Sequence, residues 1–494
     1  MSLNTLTIRQ AHDGLQKGEF SCTELVESCL SQISSTDEEL HAYLTVLEES
    51  ARQEAKKVDE KQRKKLPLKP LEGIPIALKD NLVMKNVRTT CASKILDTYQ
   101  GTYDATVVEK LKNAGAVMVG KTNLDEFAMG ASTENSGYGP SKNPWDTGRV
   151  PGGSSGGSAV AVAADECIAA IGSDTGGSVR QPASLCGVVG FKPTYGMVSR
   201  YGLVAMASSL DQIGPFGKTV ADATLLFDAI KGPDRRDSSS ARASTEPVSP
   251  SLKDGIKGMR IGIPKEYFGQ GTDEDVEKTI RTAAEVYESL GAQLVDVSLP
   301  HEKYALSVYY IIMPSEVSAN MARFDGIRYG ARSTGAATLL ETYTQSRQAG
   351  LGPEVRRRIM LGTYALSTGY TDAYYKQAQK VRVMVTRDFH NAFRTCDVIL
   401  APTSPTPAFR FGERASDPLQ MYLADIFTVS ANIVGIPGIS VPCGFVSRDG
   451  KDLPVGLQIL GKHFDDATVL RVGHAYEKAT EWHLRKPPLM NGAQ

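Results

Sequence analysis

Gly152-Gly153-Ser154-Ser155-Gly156-Gly157-Ser158, an apolar run from Ala159 to Ala164 and another from Cys167 to Ile171, then Gly172-Ser173-Asp174-Thr175-Gly176-Gly177-Ser178, form the stretch whose reading decides the fold. The apolar runs predict a helix followed by a buried strand, so one helix–strand unit separates two polar turns. Glycine at this density lets backbone N–H groups turn towards one point without interference from a Cβ. Serine adds hydroxyls that attack, relay protons or donate hydrogen bonds.

The turns admit three readings. Structural glycine loops are the ordinary explanation of any single Gly/Ser cluster, and fit two clusters around a helix–strand unit less well. Phosphate cradling requires a Gly-Lys-Ser/Thr that follows neither turn. A serine nucleophile is the third. Gly152-x-Ser154-x-Gly156 matches the nucleophile elbow, but that motif follows a strand directly, and Asn143 to Pro151 is polar and turn-rich. The second turn does follow an apolar strand, which makes Ser178 the better placed nucleophile.

A serine nucleophile needs a base. None of the seven histidines lies in a glycine-rich or apolar-to-polar junction. Lys79, ending the apolar run Gly73-Ile74-Pro75-Ile76-Ala77-Leu78-Lys79, is the other candidate. Burial lowers a lysine pKa. To act near neutrality it must fall from ~10.4 to about 7, roughly 4 kcal/mol of differential stabilisation. From the residues alone, a solvated lysine at a strand end stays the default.

The 494 residues, 41% hydrophobic and 22% charged, suffice for a large core. A net charge of −1 carries no basic footprint for nucleic acid. Seven scattered cysteines without a Cys-x-x-Cys pair predict reduced thiols and no zinc site. Met1 to Gln10 is polar without an apolar h-region, and no apolar run approaches the ~20 residues of a membrane helix. A soluble, cytoplasmic protein without membrane association is expected.

Residues 5–65 read as helices, with a capping box at Ser21-Cys22-Thr23-Glu24 and a charged helix from Glu48 to Lys65. The Lys79 strand, a helix over 104–113 and a strand over 116–120 begin a strand–helix alternation that argues for an α/β sheet. Asp125-Glu126 offers no histidine partner for a metal and reads as a pocket-shaping loop. Residues 232–258, rich in Ser, Pro, Asp and Arg, read as an exposed excursion or hinge. Strands are predicted again at 259–263, 293–297, 398–401, 439–443 and 455–460, with helices over 274–290, 304–395 and 467–478. The late strands are expected to rejoin the early sheet, making residues 1–494 a single domain.

The Lys79 strand, Gly152–Ser158, and Gly172–Ser178 followed by Val179-Arg180-Gln181-Pro182-Ala183 together resemble the amidase signature family. Gly190-Phe191-Lys192-Pro193-Thr194 and Ser209-Leu210-Asp211 continue the pattern, Asp211 reading as an organiser of local backbone. The resemblance implies an α/β/α amidase-signature fold, with a large mixed central sheet covered by helices. It also implies a Ser–cis-Ser–Lys triad that hydrolyses amides: Ser178 the nucleophile, Ser154 the bridging serine after a cis peptide, and Lys79 the base. The N–H groups of Thr175, Gly176, Gly177 and Ser178 are the implied oxyanion hole.

Tyr309 to Gly326, with Arg356-Arg357-Arg358-Ile359-Met360-Leu361-Gly362-Thr363-Tyr364, resembles the branch of that family that serves tRNA-dependent amidotransferases. Where that branch usually has Ala-Glu-Ala, this chain has Ser315-Glu316-Val317. This resemblance implies glutamine as substrate. A pocket for that zwitterion needs a cation for the α-carboxylate and an anion for the α-ammonium; the resemblance assigns Arg358 and Asp425, with Tyr309 lining the site. Taken singly, each would read as a surface or helix-end charge, as Arg356 and Arg357 do. No ATP motif is visible and no cofactor or metal is expected in this chain. A B-type transamidase subunit using ATP and Mg2+, a small C-type subunit, and tRNA held through the partner are implied, converting Glu-tRNA(Gln) to Gln-tRNA(Gln). The alternatives are a stand-alone amidase for aryl or aliphatic amides and a non-catalytic scaffold, the latter disfavoured by the intact Lys79, Ser154 and Ser178.

Overall fold

In the computed structural model, which describes residues 2–269, 271–415 and 417–491, two helices precede the sheet. Ile8–Lys17 and Cys22–Leu40 each open with a capping box, Thr7 with Gln10 and Ser21 with Glu24. Helix does not continue unbroken to residue 65 as expected. Tyr43–Val46 is a strand, β1, before the charged helix Glu48–Arg63. Four residues are too few to show a period, and β1 owes its form to the strand it pairs with.

Three buried strands come next, β2 (Pro75–Lys79), β3 (Val117–Thr122) and β4 (Ala169–Asp174). They are succeeded by β5 (Val189–Lys192) and β6 (Gln212–Gly217). The later strands are β7 (Arg260–Pro264), β8 (Gln293–Val297) and β9 (Val398–Pro402), then the hairpin β10 (Gly438–Arg448) and β11 (Lys451–Gly461). All eleven form one mixed sheet ordered β1-β3-β2-β4-β6-β5-β10-β11-β9-β7-β8. The early and late strands meet along one antiparallel seam, Gly190–Lys192 against Gly438–Ser440.

Alternate residues of β9 enter different cores: Val398 and Leu400 pack into one, Ile399 and Ala401 into the other. Side chains on a strand alternate between its faces, so the sheet separates two apolar layers. The second layer is built on the helices Ala305–Met321 and Gln377–Ala392.

β6 is absent from the sequence expectation because Gln212-Ile213-Gly214-Pro215-Phe216-Gly217 reads as a loop. It is nevertheless interior, between β4 and β5, with Pro215 opposite Ile171. Residues 232–258 hold one short helical turn, Ser249–Lys253, and are tied back to the body. Arg200 pairs with Asp237 at 3.1 Å, and the Thr106 and Ser199 hydroxyls donate to Asp234 at 2.5 and 2.7 Å. Among the described residues no helix is long and apolar enough to cross a membrane.

Candidate active site

β2 and β4 run parallel, with Leu78 beside Ile171, so their carboxyl ends lie together. That end of a sheet is where α/β folds place ligands. Lys79 is the last residue of β2 and is fully buried. Its Nζ donates to Ser154 Oγ at 2.8 Å, Ser155 Oγ at 2.8 Å and Ser173 Oγ at 3.0 Å. Asn81 Nδ2 also donates to Ser173 Oγ, at 2.9 Å. The Gly153–Ser154 peptide is cis. The Ser155 N–H donates to the Ser178 carbonyl oxygen at 3.2 Å, which joins the two turns directly. Ser178 is 7% exposed. The structure therefore links Lys79 to Ser154 by a hydrogen bond and Ser178 to the first turn through its backbone.

Burial drives the Lys79 pKa down to about 7, opposed by the charges of Asp125, Asp174 and Asp211. Lys79 thus holds roughly equal neutral and charged populations near neutrality. Burial likewise pushes Asp125 up to about 6, opposed by the N–H groups of Thr133 at 2.9 Å and Asn135 at 3.1 Å. The Asp125 N–H donates to the Ser154 carbonyl at 3.2 Å, so this loop supports the bridging serine's backbone. Asp211, pushed up to about 6 by burial, accepts the Thr175 hydroxyl at 2.8 Å and the Met206 N–H at 2.9 Å.

The second turn is held by a buried knot. Arg180 Nε and Nη2 each donate to Asp174 at 3.0 Å. The same guanidinium reaches Asn432 Oδ1 and Gln458 Oε1, both at 2.6 Å, and the Thr428 carbonyl at 3.0 Å. Burial opposes ionisation of Asp174, but the Arg180 guanidinium beside it holds its carboxyl well below the usual carboxylate range. Asp174 Oδ1 also accepts the Gly177 N–H at 2.9 Å. Of the amides of Thr175, Gly176, Gly177 and Ser178 expected to form the oxyanion hole, that of Gly177 donates to Asp174. A short acidic side chain satisfying backbone a few residues on is a local competition that composition does not reveal.

Tyr309 and Asp425 lie against the same turn. A Cβ on Gly176 would sit 2.6 Å from the Tyr309 ring. One on Gly177, whose φ is +142°, would meet Thr428 Oγ1 at 2.3 Å and Asp425 Oδ1 at 3.3 Å. Glycine at both positions lets these side chains approach the backbone. In the triplet Arg356-Arg357-Arg358 only Arg358 is buried, 3% exposed, because it alone faces inward from the helix Pro353–Leu366. Burial pushes the Asp425 carboxyl well above its ordinary pKa, opposed by the Arg358 charge.

Sequence reading missed Ser155 and Ser173 as partners of Lys79, although both stand in the quoted turns. It also missed Asp174 and Arg180, and Asn432 and Gln458, which contact Arg180 across 252 and 278 residues and carry no local signal. Among the described residues no group of three or more His, Cys, Asp or Glu could hold a metal ion.

This arrangement has relatives. The Amidase family model matches residues 24–470. The chain is 57% identical to the A subunit of glutamyl-tRNA(Gln) amidotransferase from Geobacillus thermodenitrificans over 489 residues, covering 99% of this chain and 100% of that protein. Identity to its counterpart in Geobacillus kaustophilus is 56% at equal coverage. The crystal structure of the A subunit of glutamyl-tRNA(Gln) amidotransferase from Thermotoga maritima superposes with a TM-score of 0.79 at 44% identity, covering 97% of this chain and 95% of that one.

Proposed function

This chain belongs to the amidase family, and from that premise we propose that it is the glutamine-hydrolysing subunit of a tRNA-dependent amidotransferase. Full-length identity of 57% to a protein named as the A subunit of glutamyl-tRNA(Gln) amidotransferase supports the assembly. The observation that carries the chemistry is the buried Lys79 amine, pKa about 7, facing three serine hydroxyls.

A neutral amine has two N–H donors and one lone pair. Ser155 and Ser173 take the donors, which leaves the lone pair to accept the Ser154 proton. Ser154 in turn takes the proton of Ser178, whose Oγ attacks the side-chain carbonyl of glutamine. The oxygen of the tetrahedral intermediate is held by amides of the second turn, those of Thr175, Gly176 and Ser178 beside that of Gly177, each donor contributing about 3 kcal/mol. The relayed proton returns to the leaving nitrogen, ammonia departs, and water releases glutamate from the acyl-Ser178 ester. Arg358 pairs with the substrate α-carboxylate and Asp425 with its α-ammonium, while Tyr309 walls the pocket. Asp425 must be ionised to do so, so its raised pKa makes glutamine affinity fall as the pH drops.

The ammonia is used elsewhere. A B-type partner carries ATP, Mg2+ and the tRNA sites, a small C-type subunit completes the assembly, and Glu-tRNA(Gln) becomes Gln-tRNA(Gln) in the cytoplasm. The test uses the complex: Ser178→Ala abolishes glutamine-dependent Gln-tRNA(Gln) formation, and free ammonium restores it. Failure of ammonium to restore it would show that Ser178 does more than release ammonia.

A further inference from the structure

We infer that Glu354 is a positioning residue for substrate recognition: it aims the Arg358 guanidinium and, through Tyr422, ties it to the segment that presents Asp425. The inference rests on the proposal that Arg358 and Asp425 read the two charges of glutamine.

Glu354 lies in the first turn of the helix Pro353–Leu366 and is buried. Oε1 accepts the Arg358 Nε–H at 2.8 Å and the Tyr422 hydroxyl at 3.0 Å. Oε2 takes the exposed Arg357. Both carboxylate oxygens are therefore occupied by the protein, which makes Glu354 a brace and leaves Asp425 as the anion for a substrate ammonium.

Engaging Nε fixes the plane of a guanidinium, and Nη1 gives one N–H to Met313 Sδ at 3.6 Å; the remaining N–H groups are left to meet a carboxylate. The surroundings hold that plane. The Tyr310 and Tyr422 rings stack at 3.9 Å, and the Arg358 guanidinium carbon lies 5.6 and 5.7 Å from their centroids. Tyr310 also meets Tyr309 edge-on at 5.0 Å. Tyr422 ends the short helix Pro418–Tyr422, and the next turn, Leu423–Asp425, ends on Asp425. One carboxylate thus braces, from two different segments, the cation and the anion that read opposite ends of an amino acid. Selectivity for glutamine over a plain amide depends on the spacing of those two charges.

The experiment compares kcat and KM for glutamine with those for butyramide, which lacks both α-substituents, in the assembled complex. The variants are Glu354→Gln, Glu354→Ala, Tyr422→Phe, Arg358→Ala and the double variant Glu354→Gln/Arg358→Ala. Glu354→Gln should raise the glutamine KM about tenfold, the loss of one hydrogen bond to a charged group, with kcat and the butyramide constants kept within twofold. Tyr422→Phe should act in the same direction and less, and Glu354→Ala more. In the Arg358→Ala background Glu354→Gln should keep only the smaller effect carried through Tyr422, a loss of additivity that a merely structural role would not produce. Equal losses for glutamine and butyramide, or full additivity with Arg358→Ala, would overturn the inference. If Arg358→Ala itself leaves the glutamine-to-butyramide ratio unchanged, it is the assignment of Arg358 to the α-carboxylate that fails.

Discussion

Two lysines sit fully buried near the ends of adjacent parallel strands: Lys79 closes β2, and Lys121 stands next to last in β3, in register with Leu78. Their surroundings differ by one kind of partner. Lys121 Nζ meets a carboxylate, Asp80 Oδ1, at 2.8 Å, with Thr89 Oγ1 at 3.0 Å. Lys79 meets serine hydroxyls, and the carboxylates of Asp125, Asp174 and Asp211 act on it only through space. A carboxylate in contact makes Lys121 one half of a buried ion pair and so architecture; hydroxyls in contact leave burial to lower the Lys79 pKa and make it a base. The fold supplies the same desolvated position twice and uses it for two purposes.

The comparison breaks first under substitution of each lysine. Lys79→Met should cost about 10⁴-fold or more in glutamine turnover while the thermal midpoint is kept or raised, since the relay ends at that amine. Lys121→Met should do the reverse. Leaving Asp80 buried without its partner costs about 3–5 kcal/mol in denaturant unfolding, with kcat per folded molecule retained. If Lys79→Met loses activity only in proportion to the unfolded fraction, the two lysines are alike and the distinction fails.

The pH dependence sharpens the contrast with a smaller effect. A base with a pKa of about 7 is active when unprotonated, so turnover should rise with pH through about 7. Asp125 raises that pKa, so Asp125→Asn should move the rising limb to lower pH by about half a unit. Profiles of kcat against pH read this independently of how much protein is folded. A limb that moves to higher pH would contradict the assignment of Lys79 as the titrating group.

Much of this was legible in the residues. The turns containing Ser154 and Ser178 and the strand ending at Lys79 announce themselves through glycine density and an apolar run ending in a charge, and those signals are local. The strand alternation was legible wherever a strand had enough apolar residues to contrast with its flanks. β1, β5 and β6 escaped, the first two being four residues each and too short to show a pattern, the third carrying Gly and Pro that ordinarily deny a strand. The contacts that complete the site were illegible for one physical reason: they join residues far apart in the chain. Nothing around Asn432 or Gln458 indicates that Arg180 will fold against them. The diversion of the Gly177 amide to Asp174 is local, but hydrogen-bond direction is not written in composition.

The Arg180 knot has a consequence for the order in which a ribosome makes the protein. Lys79, Ser154, Ser178 and Arg180 leave the exit tunnel while the segment carrying Thr428, Asn432 and Gln458 is still unmade. Thr428 and Asn432 come before β10 in the chain and Gln458 only with β11, so until β11 is made β10 has no hairpin partner and one of the acceptors around Arg180 is missing. A chain cut short before Gln458 therefore carries every residue of the proton relay with that frame incomplete. The frame around the relay is therefore finished only when β11 has been made.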